Sequence, residues 1–424
     1  METRQKTYLK QGAFIMLIGV IGGYLAEYCL NLLVSNSMDA DAYGDYRVAY
    51  EFAIIAGVLV VFGGDRATPK FLSGDIEDSD CSGVWEYLRL FFGISLILSA
   101  WVIAFTALGV FVHTGPADVR HYHPVLVAAC IVPLIAFGFL LRGLLEAARY
   151  VGRSNLPWRL GLPLGNIALV FLLYQLIGSL NASQAILIVG FTTFAICLWQ
   201  WRQARRLQLI PVQRRPGHYP LARTLKTSLP MMLAALIGLA MAKIDLMLLE
   251  ILLTDEREVG HYAAATLIAQ VIIIIQVAVI SLFAPLIATT IDAEQGSAKS
   301  LFWQGQGIVF GLCLFLSLIL FLFGTRFLGM FGADFLGAAW SLKILTLAYF
   351  FWALCGLSSI WLQYSEKGDS VVWVTGVAAI GNVLANYLLI PIYGINGGAM
   401  ATMISMSTAS VCIMWIHWRL SRRS

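Results

Sequence analysis

From Phe302 to Phe323 the chain reads FWQGQGIVFGLCLFLSLILFLF, 22 residues without one charged side chain. At 1.5 Å rise per residue a helix of that length covers about 33 Å, enough to cross a hydrocarbon core of about 30 Å. Lipid offers no partner for backbone N–H and C=O groups, so a segment of this kind must satisfy them within its own helix. Similar stretches recur along the whole chain. Hydrophobic residues make up 59% of the 424, only 12% are charged, and the mean hydropathy is +0.79. Soluble domains carry about a quarter charged residues, so the bilayer is the solvent for this protein.

The apolar runs place spans at 12–34, 44–63, 87–112, 124–145, 159–179 and 183–201. After a basic connector come 227–251, 261–288, 302–323, 338–362, 370–391 and 396–417. The expected fold is therefore all-α and polytopic, with about twelve transmembrane helices and only short loops. Arg4, Lys6 and Lys10 precede the first run, but that run exceeds the apolar core of a signal peptide and lacks a small-residue cleavage pattern, so it reads as an uncleaved span.

Basic residues set the orientation. With both termini on one side, 22 of the 28 Lys and Arg collect there, including the seven between Arg202 and Lys226; Arg47, Arg120, Lys243, Arg257, Arg326 and Lys343 fall on the other. The positive-inside rule puts both termini in the cytoplasm and requires an even number of spans. The net charge of +4 thus reflects topology rather than nucleic-acid binding. The connector, with Pro211, Pro216 and Pro220, reads as a solvated cytoplasmic segment, with contact to anionic membrane lipids as the alternative.

Sliding the chain against itself by 216 residues exposes an internal repeat. Gly44-Asp45-Tyr46 falls on Gly260-His261-Tyr262, Gly165-Asn166 on Gly381-Asn382, Gly178 on Gly394 and Trp199 on Trp415. Six spans per half give both halves one orientation. The domains expected are an N-terminal six-helix bundle (1–201), the linker (202–226) and a C-terminal six-helix bundle (227–424), in parallel repeat around a central cavity. Transporters with such repeats alternate access by moving one half against the other.

Charges within spans are costly and mark candidate sites. Tyr24, Glu27, Tyr28 and Asn31 recur at i, i+3, i+4 and i+7, one polar stripe on the first span. The repeat offset carries Glu27 onto Lys243, opposite charges at equivalent positions. Asp245 lies two residues on and faces elsewhere. Arg47 and Glu51 form an i,i+4 pair; the arginine fork suits phosphate oxygens, the alternative being an anchor paired with Glu51 or Glu27. Lys343 is a candidate of the same kind. Asn166, Asn382 and Asn386 read as interhelical hydrogen-bonding groups.

Catalysis finds no support: a Walker-type loop, HExxH and a nucleophile elbow are all missing. The seven cysteines are scattered singly, and His113, His121 and His123 read as solvated residues of one outer loop. No cofactor or metal is expected. Energy must then come from an ion gradient, the membrane potential or the substrate gradient, with Glu27 and Asp245 able to carry a proton or sodium ion.

Several segments resemble the polysaccharide-unit flippases (the O-antigen type) of the multidrug/oligosaccharidyl-lipid/polysaccharide exporter superfamily. They are Ala42-Tyr43-Gly44-Asp45-Tyr46, Gly63-Gly64-Asp65-Arg66 with Phe71, Glu258 to Ala264 after Asp245, and Gly381-Asn382 through Ile390-Pro391-Ile392-Tyr393-Gly394-Ile395 to Ala399. Gly397-Gly398 stands where that family often has Gly-Ala. The resemblance implies a carrier that moves undecaprenyl-diphosphate-linked oligosaccharide to the periplasmic leaflet of a bacterial inner membrane. It also implies a polysaccharide polymerase and glycosyltransferases as partners. Two alternatives stand beside it. One is an ion-coupled multidrug antiporter of the same superfamily, which also has twelve spans and an acidic residue in span one. The other is a non-transporting scaffold of a glycan-assembly complex.

Overall fold

The computed structural model describes residues 2–77, 81–118, 123–210, 221–253, 255–290, 295–365 and 367–421. Among these the secondary structure is entirely helical. In chain order the helices are α1 (Glu2–Ser35), α2 (Ala40–Val61), α3 (Gly64–Glu77), α4 (Val84–Asp118), α5 (Pro124–Ala147), α6 (Val151–Leu156), α7 (Leu162–Ile177) and α8 (Ala182–Arg206). Then follow α9 (Leu221–Leu252), α10 (Glu256–Ala269), α11 (Val271–Thr290), α12 (Gln295–Gly329), α13 (Ala339–Leu354), α14 (Gly356–Tyr364), α15 (Gly368–Tyr393) and α16 (Ile395–Ser421).

Among the described residues ten helical passages are long and apolar enough to cross a bilayer. The pair α2 and α3, bent by 42°, makes an eleventh, and the apolar part of α1 is the shorter Gly19–Ser35. The protein is therefore a polytopic all-α membrane protein. The expected linker is shorter than its composition suggested: α8 runs on to Arg206 and α9 begins at Leu221, while 211–220 lie outside the described residues. His113 belongs to α4 rather than to a loop, His121 lies outside the described residues, and His123 caps α5 by accepting from the N–H of Val125.

Large apolar side chains lie on the outer helix faces as well as in the core. On α15 the buried positions are Ala379, Asn382, Asn386 and Ile390, whereas Trp373, Ile380, Leu384 and Leu388 are exposed. Polar groups that need partners turn inward, and apolar side chains at lipid lose nothing by exposure.

The chain divides into two compact units, 1–44 with 237–424 and 45–236. The divisions fall inside α2 and inside α9, not in the basic connector. So α1 packs with α10 and α11, and the first part of α9 groups with α2 to α8. Glu27 and Lys243 consequently belong to one unit, although they come from different sequence repeats.

In the 45–236 unit, Tyr87, Phe91, Leu72, Val60, Leu140 and Leu144 form the core. The Tyr87 hydroxyl and Thr68 Oγ1 both donate to the Gly64 carbonyl at 2.7 Å, fixing the bend between α2 and α3. Gly63 sits in that bend at φ +72°, and a Cβ there would lie 2.2 Å from the Ser228 carbonyl oxygen. A side chain is thus opposed by both backbone conformation and space. Gly63→Ala is expected to cost about 3 kcal/mol or more, read as a lowered thermal midpoint in detergent.

Candidate functional site

Asp245 lies in the interior of α9 and is buried, with 3% exposure. Its Oδ1 accepts the N–H of Leu246 at 2.9 Å. Its Oδ2 accepts a hydrogen bond from the Tyr262 hydroxyl of α10 and one from Thr402 Oγ1 of α16 at 3.2 Å. The network extends to α15: Asn382 Nδ2 donates to Thr402 Oγ1 at 3.5 Å, and Asn386 Nδ2 donates to Asn382 Oδ1 at 3.0 Å. Three helices of one unit, α9, α10 and α16, thus meet on a single carboxylate, and α15 joins them through Thr402. Asn386 is fully buried and its Oδ1 has no hydrogen-bond partner among the described residues. That oxygen faces Gly398, 3.6 Å from where a Cβ would stand.

An ionised carboxylate at membrane depth persists only with donors, a proton or a cation close by. The hydroxyl and amide oxygens on Asp245's neighbours are hard donors of the kind that a proton or an alkali cation takes. The arrangement is suited to reversible occupation by a small cation. It is not suited to holding a soft metal: among the described residues no group of three His, Cys, Asp or Glu side chains is placed to hold an ion. Tyr262→Phe removes one donor to a charged acceptor and is expected to lower stability by about 1.5–3 kcal/mol, measured by thermal unfolding in micelles.

The other sequence candidates have different surroundings. Asn31 is buried, donates to the Glu27 carbonyl at 2.8 Å and accepts from the Tyr43 hydroxyl at 3.0 Å. Glu27 and Lys243 are each half-buried. Tyr24 and Tyr28 line an otherwise apolar cavity of ≈ 200 Å³ with Leu267, Val271, Leu320 and Phe327. Arg47 is 3% exposed and is held by Glu51, Nη2 to Oε1 at 2.6 Å, with Tyr50 stacked 5.7 Å from its guanidinium carbon. This is the intrahelical pair of the sequence reading, with both side chains buried. Lys343 is half-buried with Nζ 4.8 Å from the Trp340 ring centre.

Tyr262 and Thr402 escape a reading by sequence. They lie 17 and 157 residues from Asp245; a threonine hydroxyl in an apolar helix usually bonds its own turn, and a tyrosine in such a helix reads as an ordinary aromatic. The one available signal is the repeat, which pairs Tyr262 with Tyr46. Asn382 is an interhelical group as expected, bonding Thr402 of α16, whereas Asn386 bonds Asn382 within α15; the end of their chain is the carboxylate.

No family model and no curated protein matches the chain. Its fold does match solved structures. One is described as the inward-facing conformation of a multidrug resistance MATE family transporter of the MOP superfamily: TM-score 0.76, 16% identity, covering 97% of this chain and 98% of that one. An outward-facing conformation under the same description gives TM-score 0.68 and 18% identity over 98% and 96%. A MOP superfamily transporter from Pyrococcus furiosus, described as having a binding pocket of reverse polarity that suggests a different function, gives 0.67 and 16% over 98% and 96%. At these identities the likeness is one of fold.

Proposed function

We propose that this chain is a secondary transporter that exports an amphipathic organic solute across a bacterial inner membrane by alternating access, driven by a cation that occupies and leaves Asp245. The observation that carries this reading is the buried carboxylate joined by hydroxyl groups of two other helices. A cation-coupled carrier needs such a group: its charge changes with ion occupancy, and helices bonded to it feel that change. The structural neighbours, described as multidrug resistance transporters in inward- and outward-facing conformations, support a cargo of the multidrug type. The count of basic residues supports cytoplasmic termini.

A second reading, the lipid-linked oligosaccharide flippase, draws on the segment Gly381–Ala399 and the others that resemble that branch. It loses part of its footing at Arg47, whose guanidinium is occupied by Glu51 and buried, leaving it poorly placed to meet a diphosphate. Expression in a drug-sensitive host separates the two. The multidrug reading expects raised tolerance to amphipathic organic cations and an intact surface glycan on deletion in the native host. Unchanged tolerance with a lost surface glycan would transfer the assignment to the flippase.

A further inference from the structure

At the end of the 1–44/237–424 unit opposite the chain termini, the first turn of α2 crosses the first turn of α10 through two glycines. A Cβ on Gly44 would stand 2.9 Å from the Gly260 nitrogen and 3.0 Å from the Glu256 carbonyl oxygen. A Cβ on Gly260 would stand 3.2 Å from the Gly44 nitrogen and 2.3 Å from the Ala40 carbonyl oxygen. The two glycines are equivalent under the 216-residue repeat, and so are Ala40 and Glu256. Each helix therefore makes to the other the contact it receives, the self-complementary geometry of a twofold interface within one chain.

The same offset relates Asp41 to Arg257, and these pair across the crossing with Oδ1 and Nε 3.3 Å apart. Phe335 sits against both turns, its ring 5.6 Å from Tyr43 and 5.3 Å from His261. Asn36 Nδ2 donates to the Met330 carbonyl at 2.9 Å, tying the loop before α2 to the end of α12.

We infer that this crossing is a latch, a symmetric backbone contact that holds α2 to α10 in the present conformation and must part when the carrier opens at this end. The inference rests on the transporter reading above. Two features make the contact separable. The glycines carry no side chains to interlock, so close approach is gained without knobs that would have to be withdrawn. The ion pair is largely exposed, and exposed pairs orient more than they bind.

The test is a distance measurement between spin labels on cysteines replacing Asp39 and Glu256, in a background lacking the native cysteines, and it needs no cargo. Wild type is expected to show a dominant short-distance population. Gly260→Val puts methyl groups where the Ala40 carbonyl stands and is expected to shrink that population about tenfold or more. Asp41→Arg, a surface change that spares the fold, is expected to shrink it about two- to fivefold by like-charge repulsion, and Asp41→Arg with Arg257→Asp to restore it. An unchanged population in both single variants, or no recovery in the double exchange, overturns the latch. Because the readout is a distance, either result is independent of whether transport assays uphold the carrier reading.

Discussion

Replacing Arg47 with Met is expected to destabilise the protein by about 3–5 kcal/mol, whereas replacing Arg47 and Glu51 together with Met and Leu is expected to cost little or to stabilise. The reason lies in what each change leaves behind. Both side chains are buried and their 2.6 Å contact is one turn apart on α2. Removing the guanidinium takes the 2.6 Å cation from a carboxylate in packed surroundings, and much of its desolvation is no longer offset. Removing both charges deletes that penalty along with the attraction. Unfolding midpoints of the wild type, the two single variants and the double variant complete the cycle. If Arg47 served an anionic cargo, the double variant would fold well yet lose transport; with the arginine held in its buried pair with Glu51, the double variant is expected to keep transport.

The second large effect concerns Asp245. Asp245→Leu leaves the hydroxyls of Tyr262 and Thr402 buried without their acceptor, at about 1–3 kcal/mol each, so a loss of several kcal/mol in stability is expected. Asp245→Asn is nearly isosteric and can still accept through its Oδ1, so its folding cost is expected to stay near ~1 kcal/mol. Its functional cost is expected to be complete: a neutral amide takes up no proton at neutral pH and has no negative charge for a cation to neutralise, so accumulation against a gradient should cease. The contrast between the two variants separates a structural role from a coupling role. A purely structural Asp245 would let the asparagine variant transport normally.

Much of the architecture is legible in the residue order because the bilayer imposes one rule on every span. A run such as Phe302–Phe323 has no other stable form. The grouping of α1 with α10 and α11 is not legible in that way. The repeat reveals equivalent positions, but contacts across a symmetric crossing do not register in either half alone. The Asp245 network is hidden for a related reason. Asn382, Thr402 and Tyr262 are distant in sequence, and one hydroxyl on an apolar helix looks like any other until helices are packed. The stripe on α1 is legible as a stripe, yet its members diverge in use. Asn31 closes on Tyr43, while Tyr24 and Tyr28 line an apolar cavity.

The most direct measurement is transport by purified protein in sealed liposomes, following an amphipathic organic cation while an inward-directed proton or sodium gradient is imposed from the side of the cargo's exit. Gradient-dependent movement is expected for wild type and none for Asp245→Asn at equal protein content. Movement that persists in Asp245→Asn, or that ignores both gradients in wild type, would contradict cation coupling through Asp245.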